Sequence, residues 1–179
     1  MRLFLAMDPP AKVQAGLEPL TREEIRGAKW GLPAQRHLTL RFLGEVGEEA
    51  KQSLVESLKG ISGPPFQCGL QGVGVFPSPR RPSVLWVGFT PCPALFALQE
   101  ILELEVQKLG FAREPKPFHP HLTLARFKTL PAADLGAFLQ KYRDFSLPAF
   151  EVREFHLYSS HLSPKGSEYS REASFPLNA

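Results

Sequence analysis

His-Leu-Thr-Leu occurs twice in this chain, beginning at His37 and again at His121, 84 residues on. The same offset lays Leu54, Val55 and Leu58 over Phe138, Leu139 and Tyr142. It also lays Pro-Pro-Phe ending at Phe66 over Pro-Ala-Phe ending at Phe150. Upstream the offset is 82, and RLFLAMDPP lies over VLWVGFTPC with Phe4 on Trp86 and Pro9 on Pro91. Apolar periodicity alone aligns with almost anything. A constant offset across a polar motif, a helix face and a Pro-Phe turn instead requires two copies of one unit, residues 1–82 and 83–179.

Each copy reads as β-α-β-α-β. The strand-like runs are RLFLAM, RHLTLRFL, FQCGLQGVGVF, SVLWVGF, PHLTLARF and FEVREFHLYSS. Helical spacing of apolar residues predicts helices over Ala11–Ile25 (Val13, Leu17, Leu20), Glu48–Lys59, Pro93–Leu109 (Leu95, Leu98, Leu102, Val106) and Ala132–Tyr142. Pro and Gly collect in the loops SGPP, FPSPRRP and SPKG. The expected architecture is α+β and bilobal, with a pseudo-two-fold internal repeat. Two antiparallel-rich sheets flank a central cleft, with helices outside. RRPSVLW is a turn rather than a tether, so one domain over 1–179 is expected. Whether strands cross between lobes is open at this level.

In a strand, residues i and i+2 share a face. His37 and Thr39 therefore point one way while Leu38 and Leu40 enter a core, and His121 and Thr123 repeat the arrangement. Two of the five histidines thus face each other across a symmetric cleft. Imidazole titrates near neutrality, so one ring can take a proton while the other gives one. That division of labour suits in-line displacement at a phosphodiester, with the threonine hydroxyls donating to the non-bridging oxygens. It uses no metal and no cofactor. Zinc on His37, His119 and His121 is the competing use, but no Asp or Glu accompanies these histidines on their strands and threonine is a poor ligand.

Other residues are placed by the same alternation. Arg41 shares the face of Thr39 and is either a phosphate ligand or a solvated charge. Phe42 falls on the core face. Arg126 is turned away from His121 unless a bulge re-aims it. His119, whose counterpart is Gln35, is a supporting residue. Trp86 reads as core, Tyr158 as a residue that could stack on a nucleobase, His156 and His161 as structural, and Arg80 and Arg81 as a solvated turn.

Bulk properties narrow the class. A hydrophobic fraction of 43% with 22% charged residues is a globular composition able to bury a core. No apolar run reaches the ~20 residues of a spanning helix, and MRLFLAMDPP reads as a first strand rather than a signal peptide. A cytoplasmic monomer is expected. Cys68 and Cys92, the two cysteines, lack redox or zinc spacing and read as reduced and inert. A net charge of +3 tolerates a phosphate-bearing partner without demanding one. Scarce Asn and Met with 18 prolines fit a thermophile bias.

With these motifs in view, HLTLRFLGE and PFHPHLTLARF resemble the paired H-x-T-x motifs of the two-histidine phosphoesterases. More narrowly the chain is similar to the RNA 2′,3′-cyclic phosphodiesterases, also called 2′-5′ RNA ligases, over nearly its whole length. The resemblance implies that His37 is the proton donor to the leaving 3′ oxygen and His121 the proton acceptor that activates water, with Thr39 and Thr123 beside them. It further implies substrates that are RNA 3′ ends or oligonucleotides carrying a cyclic phosphate, a 2′-phosphate product and reversible 2′-5′ ligation. Arg126, Arg41 and His119 are candidate substrate contacts. The near symmetry of the repeats does not itself tell acid from base. A small cyclic nucleotide or 2′-5′ oligonucleotide substrate, or a non-catalytic nucleotide- or RNA-binding module, remains an alternative.

Overall fold

A computed structural model describes residues 1–129, 133–164 and 166–178. The first copy contributes β1 (Arg2–Met7), α1 (Ala11–Gly16), α2 (Glu18–Thr21), β2 (Ala28–Trp30), a 3-10 turn (Pro33–Gln35), β3 (Leu38–Glu45), α3 (Glu48–Leu58) and β4 (Phe66–Phe76). The second contributes β5 (Val84–Phe89), α4 (Pro93–Lys108), β6 (His121–Phe127), α5 (Asp134–Lys141), β7 (Ser146–Val152), β8 (Glu154–Ser163) and β9 (Gly166–Pro176). The paired strands are antiparallel and form two sheets, ordered β3-β1-β8-β9 and β2-β6-β5-β4-β7.

The sheet orders answer the question the repeat left open. Strands cross between the copies, and β2 of the first pairs with β6 of the second. β4 pairs with β5 of the second copy, and β8 pairs with β1 of the first. Both sheets share one apolar core, in which α4 buries Leu95, Leu98, Leu102 and Val106. Each such side chain contributes about 1.5–3 kcal/mol on burial, which explains why the helical pattern was readable.

Several elements differ from expectation. Pro19 lies in the first turn of α2, and 11–25 forms two short helices rather than one. FEVREFHLYSS is not one strand: at Arg153 the chain leaves β7 in the second sheet and enters β8 in the first. The polar edge strand β9 and the three-residue β2 carry no apolar alternation to announce them. The expected start of the last helix at Ala132 lies outside the described residues.

The feature that aims the site is a bulge at the same place in both motif strands. Leu5 pairs with Arg41 but Ala6 with Thr39, which leaves Leu40 as the extra residue. Leu85 pairs with Ala125 but Trp86 with Thr123, which leaves Leu124 extra. An extra residue reverses the faces beyond it. These registers also correct the upstream alignment. Relative to the motif strands, Trp86 takes the place of Ala6 rather than of Phe4. A slip of two residues preserves alternation, so periodicity could not detect it.

Candidate active site

β3 and β6 approach one another between the sheets. His37 and Thr39 stand at the start of β3 in the first sheet, and His121 and Thr123 on β6 in the second. Cross-strand partners share a face, so Thr39, Ala6 and His156 line the first wall together with Phe4 and Tyr158. Ladder partners place Thr123 beside Trp86 and His121 beside Gly88 on the second. Among the described residues, no group of three His, Cys, Asp or Glu side chains is arranged to hold a metal.

The two half-sites share a backbone plan and differ in chemistry. His37 is 7% exposed. Its ring lies over Tyr158 at 5.0 Å and 26°, with the Phe4 and Tyr169 rings at 5.5 and 4.9 Å. Its Nδ1 faces Asp8 Oδ1 at 3.6 Å. Asp8 is held in turn: the Tyr158 hydroxyl donates to Oδ2 at 2.7 Å and Arg171 Nη2 at 2.6 Å. His156 Nε2 stands 3.7 Å from the same oxygen. Burial alone would raise the Asp8 carboxyl. The nearby His37 imidazole, the bond from Tyr158 and the charge of His156 override that and hold it at about 2. Asp8 is therefore a fixed anion behind His37. Burial, and then Asp8, push the Tyr158 phenol up to about 12.

On the opposite wall His121 Nδ1 lies 2.7 Å from the His119 carbonyl oxygen. A carbonyl only accepts, so Nδ1 carries the hydrogen and, in the neutral ring, Nε2 keeps its lone pair. Burial lowers the His121 pKa first. The His119 carbonyl opposes this, and the charges of His119 and Arg126 lower it further. The rings of Phe76, Trp86 and His119 surround it at 5.0, 6.4 and 6.3 Å. Trp86 lies flat across Gly74, where an added Cβ would stand 2.3 Å from the indole. Only glycine admits the ring at that point.

Four expectations change in these surroundings. Arg41 does not share the face of Thr39. Beyond the Leu40 bulge it enters the core, 7% exposed, with Nε 2.6 Å from Glu103 on α4 and further contacts to Glu114 and the Ala112 carbonyl. It is thereby removed from the substrate contacts. Phe42, expected in the core, is 63% exposed on the cleft side, 6.0 Å from the Phe4 ring. Trp86 faces the cleft under His119 and His121 instead of the core. Tyr158, 7% exposed between Phe4 and His37, is enclosed rather than offered to a nucleobase. The Leu124 bulge supplies what Arg126 needed: it is exposed on the cleft face, beside Val84 and Lys29. His119 is exposed and supports His121 through its carbonyl. His156 is buried and bonded to Ser174 at 2.9 Å, whereas His161 is exposed. Arg80 and Arg81 sit exposed on a turn, and burial pushes the Cys68 thiol up to about 12, with Cys92 adding to the shift.

Since the Arg41–Glu103 pair is buried, Arg41→Met leaves Glu103 uncompensated. A loss of about 3–5 kcal/mol in denaturant-measured stability is expected. Arg41→Met combined with Glu103→Met should recover most of it. A single variant as stable as the parent would contradict the pairing.

A cleft with one H-x-T motif on each wall defines the two-histidine phosphoesterase class. Known proteins place the chain within it. A sequence model of the 2′-5′ RNA ligase superfamily matches residues 9–164, and the chain belongs to that superfamily. It is 37% identical over 171 residues to the RNA 2′,3′-cyclic phosphodiesterase of Archaeoglobus fulgidus, covering 94% of this chain and 96% of the relative. It is 33% identical over 184 residues to the Aquifex aeolicus protein of the same name, covering 99% and 97%. Among solved structures, Escherichia coli LigT complexed with 3′-AMP superposes with a TM-score of 0.80 at 27% identity, covering 99% of this chain and 98% of that one. No described helix is long and apolar enough to cross a membrane.

Proposed function

We propose that the chain is an RNA 2′,3′-cyclic phosphodiesterase whose two histidines act as acid and base across the phosphate. The observation that carries this is the inequality of the half-sites. His37 is backed by the Asp8 anion, and His121 is fixed by a carbonyl with Nε2 left as an acceptor. His121 Nε2 takes a proton from water as the water oxygen bonds to phosphorus. The P–O3′ bond breaks, and His37 gives its proton to the departing 3′ oxygen, leaving a 2′-phosphate. Thr39 and Thr123 donate to the non-bridging oxygens. Run forwards with a 5′-hydroxyl in place of water, the same transfers make a 2′-5′ linkage, and run backwards they cleave it. The reading needs no cofactor and treats 1–179 as one working unit, a monomer in the cytoplasm.

The test is a short RNA ending in a 2′,3′-cyclic phosphate, incubated with excess EDTA. Full hydrolysis to a 2′-phosphate and 3′-hydroxyl is expected. A requirement for added divalent metal, or a 3′-phosphate product, would reject the scheme.

A further inference from the structure

The register of the second sheet puts two cations side by side. Lys29 on β2 is the ladder partner of Arg126 on β6, and both are exposed. They lie on the cleft face. Arg126 is turned there by the Leu124 bulge, and the next residue of β2, Trp30, points to the other face, where its ring meets Phe138 of the core at 6.1 Å. Like charges directly opposite in an antiparallel pair repel one another and weaken the ladder. No acidic side chain forms an ion pair with either among the described residues. The surroundings enclose the pair further. Gly166, at the turn between β8 and β9, comes so near that a Cβ there would stand 3.7 Å from Lys29 Nζ. The Gln35 side chain, which donates to the Ser167 carbonyl at 2.8 Å, ties that turn to the same end of the cleft.

We propose that Lys29, together with Arg126, binds a second phosphate of the substrate: the one joined to the 5′ oxygen of the nucleotide whose cyclic phosphate is opened. This rests on the function proposed above and adds to it the residues that hold the phosphate one nucleotide step from the reacting one. The charge logic supports it. An anion seated between them relieves the Lys29–Arg126 repulsion, while the reacting phosphate, held by Thr39 and Thr123, occupies the other end of the same cleft. Thr123 and Arg126 are three residues apart on β6, at most about 10 Å along the strand, a span that long Arg and Lys side chains shorten toward one nucleotide step.

The probes are a nucleoside 2′,3′-cyclic phosphate and the same compound carrying a 5′-phosphate. The full chain is expected to prefer the 5′-phosphorylated compound by about tenfold or more in kcat/KM, expressed chiefly in KM. In Lys29→Ala the ratio should fall toward one, Lys29→Arg should keep most of it, and Lys29→Glu should invert it. On a short oligonucleotide, Lys29→Ala should also reduce the salt dependence of log KM by close to one phosphate, a slope change of about 0.7. Lys29 is exposed on a short strand, and thermal unfolding verifies that each variant is folded. If the full chain hydrolyses both compounds at equal efficiency, or if Lys29→Ala lowers both equally, the second-phosphate site is overturned and the phosphodiesterase reading stands. If neither compound nor the oligonucleotide is hydrolysed, it is the phosphodiesterase reading that fails.

Discussion

His121→Ala and His37→Ala should each lower kcat by about 10²–10⁴-fold on an RNA 2′,3′-cyclic phosphate, the range for loss of a general acid or base. Their signatures should differ. The parent rate rises with pH as His121 loses its proton, and burial with the nearby charges places that step below the ordinary histidine value of 6.5. His121→Ala should abolish this acidic limb, and His37→Ala should keep it. A phosphodiester with a p-nitrophenyl leaving group separates the roles directly, because that group departs without a proton. On this substrate His37→Ala should regain most of its lost rate and His121→Ala should not. Recovery of the opposite variant would exchange the assignments of acid and base.

Asp8→Asn is the second substitution expected to have a large effect, although Asp8 is assigned no contact with substrate. The amide keeps the size of the side chain and removes the anion that faces His37 Nδ1 at 3.6 Å. The kcat should fall by about tenfold, the scale of one lost charge contact. The KM should change little, and Asp8→Glu should restore part of the rate. A kcat within about twofold of the parent would make Asp8 a packing residue only. Stability gives an independent reading. The carboxyl titrates at about 2 in the folded chain against an ordinary 3.8, so its ionised form contributes about 2 kcal/mol. Because the folded value is the depressed one, this contribution is complete above about pH 4. It disappears as pH falls through 2. The gap in unfolding free energy between parent and Asp8→Asn should follow that course.

The repeat made much of the site legible, and its limits have physical causes. His37, Thr39, His121 and Thr123 were found because a strand puts i and i+2 on one face and the motif recurs at a fixed offset. The placing of Arg41, Phe42 and Arg126 depended on the backbone just beyond each threonine. There a single extra residue, Leu40 in one strand and Leu124 in the other, inverts inside and outside. A leucine in a bulge is indistinguishable in sequence from a leucine in register, so alternation sent Arg41 to the cleft and Phe42 to the core. Asp8 escaped notice because an acidic residue before two prolines is ordinary turn chemistry. The signal was nonetheless present. One residue beyond the Met7–Leu38 pair stands a carboxylate, whereas Gly88 occupies the place beside His121. The repeats are similar in shape and unlike in charge, and the proposed assignment of acid and base rests on that unlikeness. Lys29 was invisible for another reason: three residues of β2 carry no pattern, and only their register sets Lys29 against Arg126.

The crossing of β4 and β8 into each other's half also bears on the order in which the enzyme is made. His37, Thr39 and Asp8 are synthesised well before the Tyr158 hydroxyl and Arg171 guanidinium that hold Asp8, which come from β8 and β9. On the other wall, Trp86 waits on β5 for the rest of its sheet, although Gly74 and Phe76 are already in place from β4. A chain still emerging from the ribosome therefore carries both histidines and both threonines before β9 brings the Arg171 guanidinium to Asp8. The contacts that fix Asp8 beside the first histidine thus come from the latest-made of the described strands.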